Sequence, residues 1–291
     1  MRRWLWVPEE IWKGAEALRE LGWVEGQNLH VERRYANNRI ESLQTLAEEL
    51  VRAKVDVIVT GGTPATLAAK RATDKIPIVF RVGDPVLVGL VASLARPGGN
   101  VTGLSLAGPE VAAKYLSLLK ELLPGLRRIG VLEVSANPYF RAVRGQFENT
   151  CRQLGLEPIF VEIAAADEIG GAIAQVARQR AQALVLRGDS FVSDHRVEIA
   201  GAAMKHGLPT MTESPDIMRD SGVLASYSLT EAEAERRAAS YVDRILRGAR
   251  PADLPVEQPT KFELVINLRT ARALGLTIPH SVLLRADTVI Q

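Results

Sequence analysis

The sequence predicts an α/β protein made of two doubly wound parallel-sheet lobes, on three observations. Short β-branched runs end in small or polar residues and then give way to helical patterns. Val55-Asp-Val-Ile-Val59 opens into Thr60-Gly-Gly-Thr-Pro64, and the run 76–80 opens into Arg81-Val-Gly-Asp-Pro85. The runs 129–132 and 183–186 open likewise into Ser135-Ala-Asn-Pro138 and Arg187-Gly-Asp-Ser190. Strands of this kind alternating with amphipathic helices argue parallel sheets covered on both faces. The pattern starts afresh at Arg128, and 291 residues with 47% hydrophobic content suit two cores better than one.

Taken in order, a helix is expected over 8–21, with Pro8 in a first-turn position where a missing amide is harmless and Gly22 as its stop. Alternation of Leu29, Val31 and Arg33 predicts a strand over 28–35. Leu43, Leu46, Ala47, Leu50 and Val51 recur at helical spacing and lead into the strand 55–59. After the strand 76–80, a helix is expected over 86–94, stopped by Arg96-Pro-Gly-Gly99, and then a short strand over 101–106. Val111, Tyr115, Leu118, Leu119 and Leu122 share one stripe of a helix over 109–123. Strands follow at 129–132, 156–163, 183–186 and 209–212, and a polar helix over 230–246 ends at Gly248 with Pro251 beyond. This reading places the first lobe at 1–103, the second at 104–225, a return to the first at 226–255, and a closing segment of the second at 256–291.

Composition excludes several functions. The 36 basic and 34 acidic residues nearly cancel and are interspersed, so no nucleic-acid footprint is expected. The lone Cys151 excludes an intramolecular disulfide and a cysteine-rich zinc site, and its helical spacing with Phe147 and Leu154 places it in a core. No window approaches the roughly 18 apolar residues that cross a bilayer. Met1-Arg-Arg-Trp-Leu-Trp-Val-Pro8 reaches Pro8, Glu9 and Glu10 before any signal-peptide core, so no export signal is expected in the chain as written. The phosphate-loop and dinucleotide glycine motifs are absent, and no cofactor is expected.

Ligands of such sheets bind beyond the carboxyl ends of the strands, so the loops carry the functional reading. Gly61-Gly62-Thr63-Pro64 leaves helix-end amides and the Thr63 hydroxyl for a carboxylate, or else Thr63 simply caps the helix. Asp84, Asp189 and Glu213 fall at strand ends, where each acid is either a local cap or a holder of a cationic group. Ser105, Ser190 and Ser226 add hydroxyls on the same side, and Tyr227 offers an apolar ring with a polar tip, or else packs beneath a hinge. No Gly-x-Ser-x-Gly elbow or His-Glu-x-x-His motif occurs. His30 and His280 lie in peripheral segments, and His195 and His206 read as solvated. No nucleophile is paired with a base, so binding without chemistry is expected.

Several strings carry a family resemblance: Leu18-Arg-Glu-Leu-Gly-Trp-Val-Glu-Gly-Gln-Asn28, Gly61-Gly-Thr-Pro-Ala65, Gly83-Asp-Pro85, Leu94-Ala-Arg-Pro-Gly-Gly-Asn-Val-Thr-Gly-Leu104, Ala136-Asn-Pro138 and Leu254-Pro-Val-Glu-Gln-Pro-Thr-Lys-Phe-Glu-Leu-Val-Ile-Asn267. Together they resemble ABC-transporter substrate-binding proteins related to a bacterial tryptophan-binding component. The resemblance implies a type I periplasmic-binding-protein fold whose lobes, joined by hinge strands, close over a small ligand. It further implies an amino-acid-like ligand, notably an aromatic one, an ABC permease as partner and a periplasmic or otherwise extracytoplasmic location. The contacts it implies here are Thr63, Asp84, Asn137, Asp189, Glu213, Ser226 and Tyr227, beside Ser105.

The beginning departs from that pattern. Only seven residues precede the first expected helix, too few for a leader, a first strand and a loop, so either the true start lies upstream of Met1, the reading favoured here, or the first lobe has lost its central first strand. Two other functions stay open at this level. One is the effector module of a regulator, against which the missing helix-turn-helix counts. The other is an α/β enzyme using Asp84 or Asp189 as a base on a small carboxylate.

Overall fold

The structure is a computed structural model that describes residues 2–7, 14–37, 39–106, 108–218 and 220–291. The chain divides into two compact units, Met1–Leu106 with Glu231–Thr260 and Ala107–Thr230 with Lys261–Gln291. The sequence reading had placed the three crossings after residues 103, 225 and 255; in the structure they fall after 106, 230 and 260.

Unit 1 begins with strand β1 (Arg2–Val7) and helix α1 (Gly14–Glu20), followed by β2 (Leu29–Arg33), α2 (Leu43–Arg52), β3 (Val57–Gly61), α3 (Thr63–Ala72), β4 (Ile78–Val82) and β5 (Val101–Ser105). Its sheet has the order β2-β1-β3-β4-β5, and every neighbouring pair is parallel. Strand β1 lies inside it, with Trp4 in register with Val31 on one side and Val57 on the other. The alternative in which the first lobe lacks its central strand is therefore corrected. The six residues Arg-Arg-Trp-Leu-Trp-Val, two of them tryptophan, suffice for a strand. The residues 8–13 of the expected first helix lie outside the described residues; the helix is described from Gly14.

Alternation within β3 and β4 feeds two cores. Ile58, Ile78 and Phe80 pack with Leu43, Leu50, Ala65 and Ala68 from α2 and α3, whereas Val57, Val59 and Val79 pack on the opposite face with Leu18. Side chains that alternate across a strand and are buried on both faces are the signature of a doubly wound sheet. Gly103 sets the spacing of β4 and β5. It holds φ +148°, and a Cβ there would lie 2.1 Å from the Phe80 carbonyl oxygen, so only glycine permits this approach.

The helix expected over 86–94 is absent. Residues 85–89 form turns instead. The Asp84 carboxylate accepts the Val86 and Leu87 amides, Gly89 holds φ +71°, and the Lys70 ammonium binds the Gly89 and Leu90 carbonyls that a helix would use internally.

Unit 2 runs through α4 (Pro109–Leu122), β6 (Arg128–Val134), α5 (Pro138–Gln153), β7 (Glu157–Ile163), α6 (Ile169–Arg178), β8 (Ala183–Leu186), α7 (Ser190–Asp194), α8 (Arg196–Lys205), β9 (Thr210–Thr212), α9 (Pro215–Met218) and β10 (Ala225–Ser228). The chain then returns to unit 1 as α10 (Glu231–Leu246), whose Tyr241, Val242 and Leu246 join Leu18, Val57 and Val59. The Trp23 indole N–H donates to Asp243 at 2.8 Å, and the Arg247 guanidinium binds the same carboxylate oxygen at 2.6 Å. The Leu-Gly-Trp string thus fastens the start of unit 1 to its last helix. Strand β11 (Glu263–Asn267), α11 (Leu268–Ala273), α12 (His280–Leu283) and β12 (Thr288–Ile290) complete unit 2.

The second sheet has the order β12-β11-β10-β9-β8-β6-β7. It is not parallel throughout, because β11 pairs antiparallel with β10 and β12 runs parallel to β11. Ile129, Val131, Ala183, Val185, Met211 and Ala225 form one core with Tyr115, Leu119, Phe147 and Cys151 from α4 and α5. Cys151 is fully buried, and burial pushes its thiol up to about 12, which leaves it unreactive at neutral pH.

Candidate functional site

In unit 1 the strands β3, β4 and β5 are neighbours, and each ends in a candidate residue. Thr63 is buried in the first turn of α3. No side chain caps this helix, and its N-cap is Gly62 at φ +74°. Pro64 carries no amide, so the Thr63 and Ala65 amides are the first-turn donors that this start leaves without a side-chain cap. Asp84 spends one oxygen on the two amides of its own turn. The Ser105 hydroxyl is buried and donates to the Gly83 carbonyl at 2.8 Å, tying the end of β5 to the Asp84 loop. Arg81, on β4, pairs with Glu235 of α10 at 2.8 Å, so this strand-end cation is neutralised within the unit.

In unit 2 the first two candidates are joined. Asn137 caps α5 by accepting the Tyr139 amide and donates to Asp189 at 2.7 Å. Asp189 caps α7 with its other oxygen, which accepts the Phe191 amide at 2.8 Å. Burial raises its pKa, against the hydrogen bonds from Asn137 and the backbone. Both oxygens of Asp189 are thus engaged locally. The Phe191 ring stacks on His195 at 4.3 Å, in the turn that leads from α7 to α8. His195 and His206 flank α8.

Glu213 follows β9, and its Oε1 accepts both the Gly188 amide at 3.1 Å and the Arg187 Nε at 3.3 Å. Its Oε2 is buried and has no hydrogen-bond partner. Arg187 itself was missed by the sequence reading. It is 3% exposed, lies 3.7 Å from the Glu133 carboxylate, and sits over the rings of Phe147, Phe140 and Tyr139 at 4.6, 5.4 and 5.8 Å. Burial works against its charge, but Tyr115, Glu213, Tyr139 and Glu133 more than offset that, so it stays a cation. The Tyr115 hydroxyl is fully enclosed, is pushed well up by burial, and has no hydrogen-bond partner. Glu133 also binds Arg144, which bridges to Glu162. The available signal was charge inside apolar strands: Glu133 within Val131-Leu-Glu-Val134, and Arg187 closing Leu184-Val-Leu-Arg187.

Ser226 is 1% exposed and its hydroxyl also lacks a partner. It lies in register with Thr212 of β9. Tyr227, on the other face of β10, stacks on Phe262 at 5.4 Å and packs against the unit 2 core. Among the described residues no group of three or more His, Cys, Asp or Glu could hold a metal ion, and no helix is long and apolar enough to cross a membrane.

This arrangement of buried acids, capped loops and uncapped amides can be set beside known proteins. A family model described as ABC transporter substrate binding protein matches residues 9–290. A tyrosine-binding protein of Clostridioides difficile is 28% identical over 262 residues, which span 90% of this chain and 75% of that protein. A crystal structure of a conserved domain protein from Vibrio cholerae superposes with a TM-score of 0.93 at 27% identity over 99% of both chains. An ABC domain from Streptococcus pneumoniae in complex with L-Trp superposes with a TM-score of 0.92 at 25% identity, again over 99% of both chains. A leucine-binding protein of Thermotoga maritima shares the fold at 15% identity and a TM-score of 0.60. This chain belongs to the ABC transporter substrate-binding protein family.

Proposed function

We propose that this protein is the extracytoplasmic solute-binding component of an ABC uptake system and that its ligand is an aromatic amino acid of the tryptophan and tyrosine class. The observation that carries this reading is the similarity, over 99% of both chains, to the L-Trp complex of the Streptococcus protein. The tyrosine-binding relative points to the same ligand class. In this reading the protein binds and releases without chemistry and delivers its ligand to a permease.

The strand-end residues take roles that follow from their chemistry. Thr63 and the uncapped amides of α3 receive the carboxylate. Asp84 and Glu213 are the acids that keep an oxygen for an ammonium group, Asp189 and Asn137 brace each other, and Ser105 and Ser226 supply neutral hydrogen-bonding groups.

Isothermal titration of the purified protein with L-tryptophan, L-tyrosine, L-phenylalanine and a panel of aliphatic amino acids tests the proposal. Saturable one-to-one binding of an aromatic amino acid, with aliphatic ones at least tenfold weaker, is expected. Binding only of aliphatic amino acids, or of none, would overturn the ligand class. Turnover of a bound amino acid would overturn the assignment of binding alone.

A further inference from the structure

The chain carries 36 basic and 34 acidic residues, but one edge of unit 2 does not share that balance. Strands β9, β8, β6 and β7 lie side by side and parallel, so the connectors that enter them meet at one edge, opposite the ends that carry Asn137, Asp189 and Glu213. At the usual strand spacing this edge is about 14 Å wide. The connectors bring Arg127 and Arg128 to β6, Arg152 to β7, Arg178 and Arg180 to β8, and Lys205 to β9. Within residues 123–128, 152–157, 178–182 and 205–209 the single acid is Glu157, and Arg128 holds it at 2.8 Å. Arg127, Arg152, Arg178, Arg180 and Lys205 are exposed, and among the described residues none of them has an ion-pair partner.

The connectors are laced together. The Gln182 side chain accepts the Arg127 and Arg128 amides at 2.8 and 3.1 Å and donates to the Gly125 carbonyl at 3.3 Å. The Glu157 amide donates to the Arg127 carbonyl at 2.7 Å, and the Gln182 amide to the Arg128 carbonyl at 2.9 Å. Helix dipoles account for part of the charge, since Arg152, Arg178 and Lys205 fall in the last turns of α5, α6 and α8. They do not account for Arg127 and Arg180, which stand outside the helices. The connectors after α4, α5 and α8 turn on Gly125, Gly155 and Gly207 at φ +87°, +67° and +67°, whereas the connector after α6 turns on Arg180 at φ +62°. Glycine suits that conformation better than any side chain, so a long cation is kept where the backbone asks for none. Unit 1 differs: Lys54 also holds a positive φ, but Asp56 follows it and Asp74 precedes Lys75, so its connectors mix signs.

Guanidinium groups favour phosphate, which they bind through two parallel N–H bonds. Clusters of roughly four to eight Lys and Arg are drawn to anionic lipid surfaces. These connectors hold no Phe, Tyr or Trp on which a nucleic-acid base would stack. We infer that the strand-entry edge of unit 2 docks on an anionic phospholipid surface, with Arg178 and Arg180 near its centre. This goes beyond the proposed solute-binding function and rests on it for one step only, that the protein works beside the membrane that carries its permease.

Vesicle cosedimentation of the purified full chain tests this, with phosphatidylcholine vesicles and vesicles in which part of that lipid is replaced by phosphatidylglycerol. The wild type should bind only the phosphatidylglycerol vesicles, and high salt should release it. Arg178→Glu combined with Arg180→Glu should weaken binding roughly tenfold or more. Arg52→Glu combined with Lys75→Glu, an equal change of charge at exposed positions of unit 1, should leave it within about twofold. Arg180→Gly should melt no lower than the wild type, because glycine suits φ +62°, and yet bind these vesicles more weakly. Absence of binding to phosphatidylglycerol vesicles, equal binding to phosphatidylcholine, or an equal loss in the two double variants would overturn the inference. Tighter binding to a short DNA duplex than to the vesicles at the same salt would overturn it too. A chain that binds the vesicles but shows no titration with L-tryptophan would overturn the proposed ligand class while supporting this docking edge.

Discussion

In unit 1, α3 starts on a bare glycine and leaves its first amides unclaimed, whereas in unit 2 both α5 and α7 start on side chains that cap them and bind each other. The buried charge differs as well. Arg81 meets Glu235 across one contact, while Arg187 is set among two glutamates and three rings. The two units thus end in different chemistries, one with an uncapped helix start and the other with acids engaged by local caps. The difference teaches that the shared architecture fixes where groups appear, and the capping residues decide which remain open for an external partner.

The sharpest way to break each unit separately is to fill its tightest glycine. Gly103→Ala should cost roughly 4 kcal/mol or more, because a Cβ at 2.1 Å from the Phe80 carbonyl cannot be relieved without separating β4 from β5. Gly130→Ala should cost less, about 1–3 kcal/mol, since the nearest atom is a Val176 methyl at 2.3 Å that a side-chain shift relieves in part. Urea unfolding of both variants checks the order. An equal cost would mean that β5 is free to move.

Breaking the charged pairs comes close behind. Arg187→Met should cost about 3–5 kcal/mol by leaving Glu133 and Glu213 buried with less compensation. Arg81→Met should cost no more than that, because a single pair is lost at a slightly more accessible position. Thermal melts of the two variants compare them directly.

The capping pair gives a smaller effect. Asn137→Ala should cost about 1–2 kcal/mol, since it removes the α5 cap and a donor to Asp189. The titration of Asp189 has a defined sign. Its folded pKa is raised, so its contribution favours the folded state below the unfolded carboxylate pKa and is lost as pH rises through the folded value. The stability difference between the wild type and Asp189→Asn should therefore move in favour of the variant as pH rises across that range. Denaturant titrations at a series of pH values would read it, and a flat difference would count against the raised pKa.

The mildest prediction concerns unit 1. Thr63→Val keeps the branched shape, and because no side chain caps α3, stability should change by less than about 0.5 kcal/mol. If Thr63 receives the ligand carboxylate, affinity for L-tryptophan should fall about tenfold, or ~1.4 kcal/mol.

The strand-and-loop rhythm was legible because parallel strands buried on both faces concentrate Val, Ile and Leu, as at 57–59 and 183–186. Boundaries set by tertiary contacts were not legible. The helix expected over 86–94 fails because Lys70, distant in sequence, claims two carbonyls. Strand β1 was hidden because its pairing with β2 and β3 is non-local. Among the candidate site residues, position at the strand ends could be read from turn chemistry. The division between engaged and unengaged oxygens, as in Asp189 and Glu213, could not, because it depends on Asn137 and Arg187 from other loops.

The return of α10 to the first unit has a consequence for synthesis. Leu18, Val57 and Val59 have their apolar partners Tyr241, Val242 and Leu246 in a segment that leaves the ribosome only after all of 107–230 has been made. At about 5–20 residues per second this leaves one face of the first sheet uncovered for on the order of ten seconds. For that interval the nascent chain presents an oily, half-built surface, which makes it a client for any factor that shields apolar chains before folding completes.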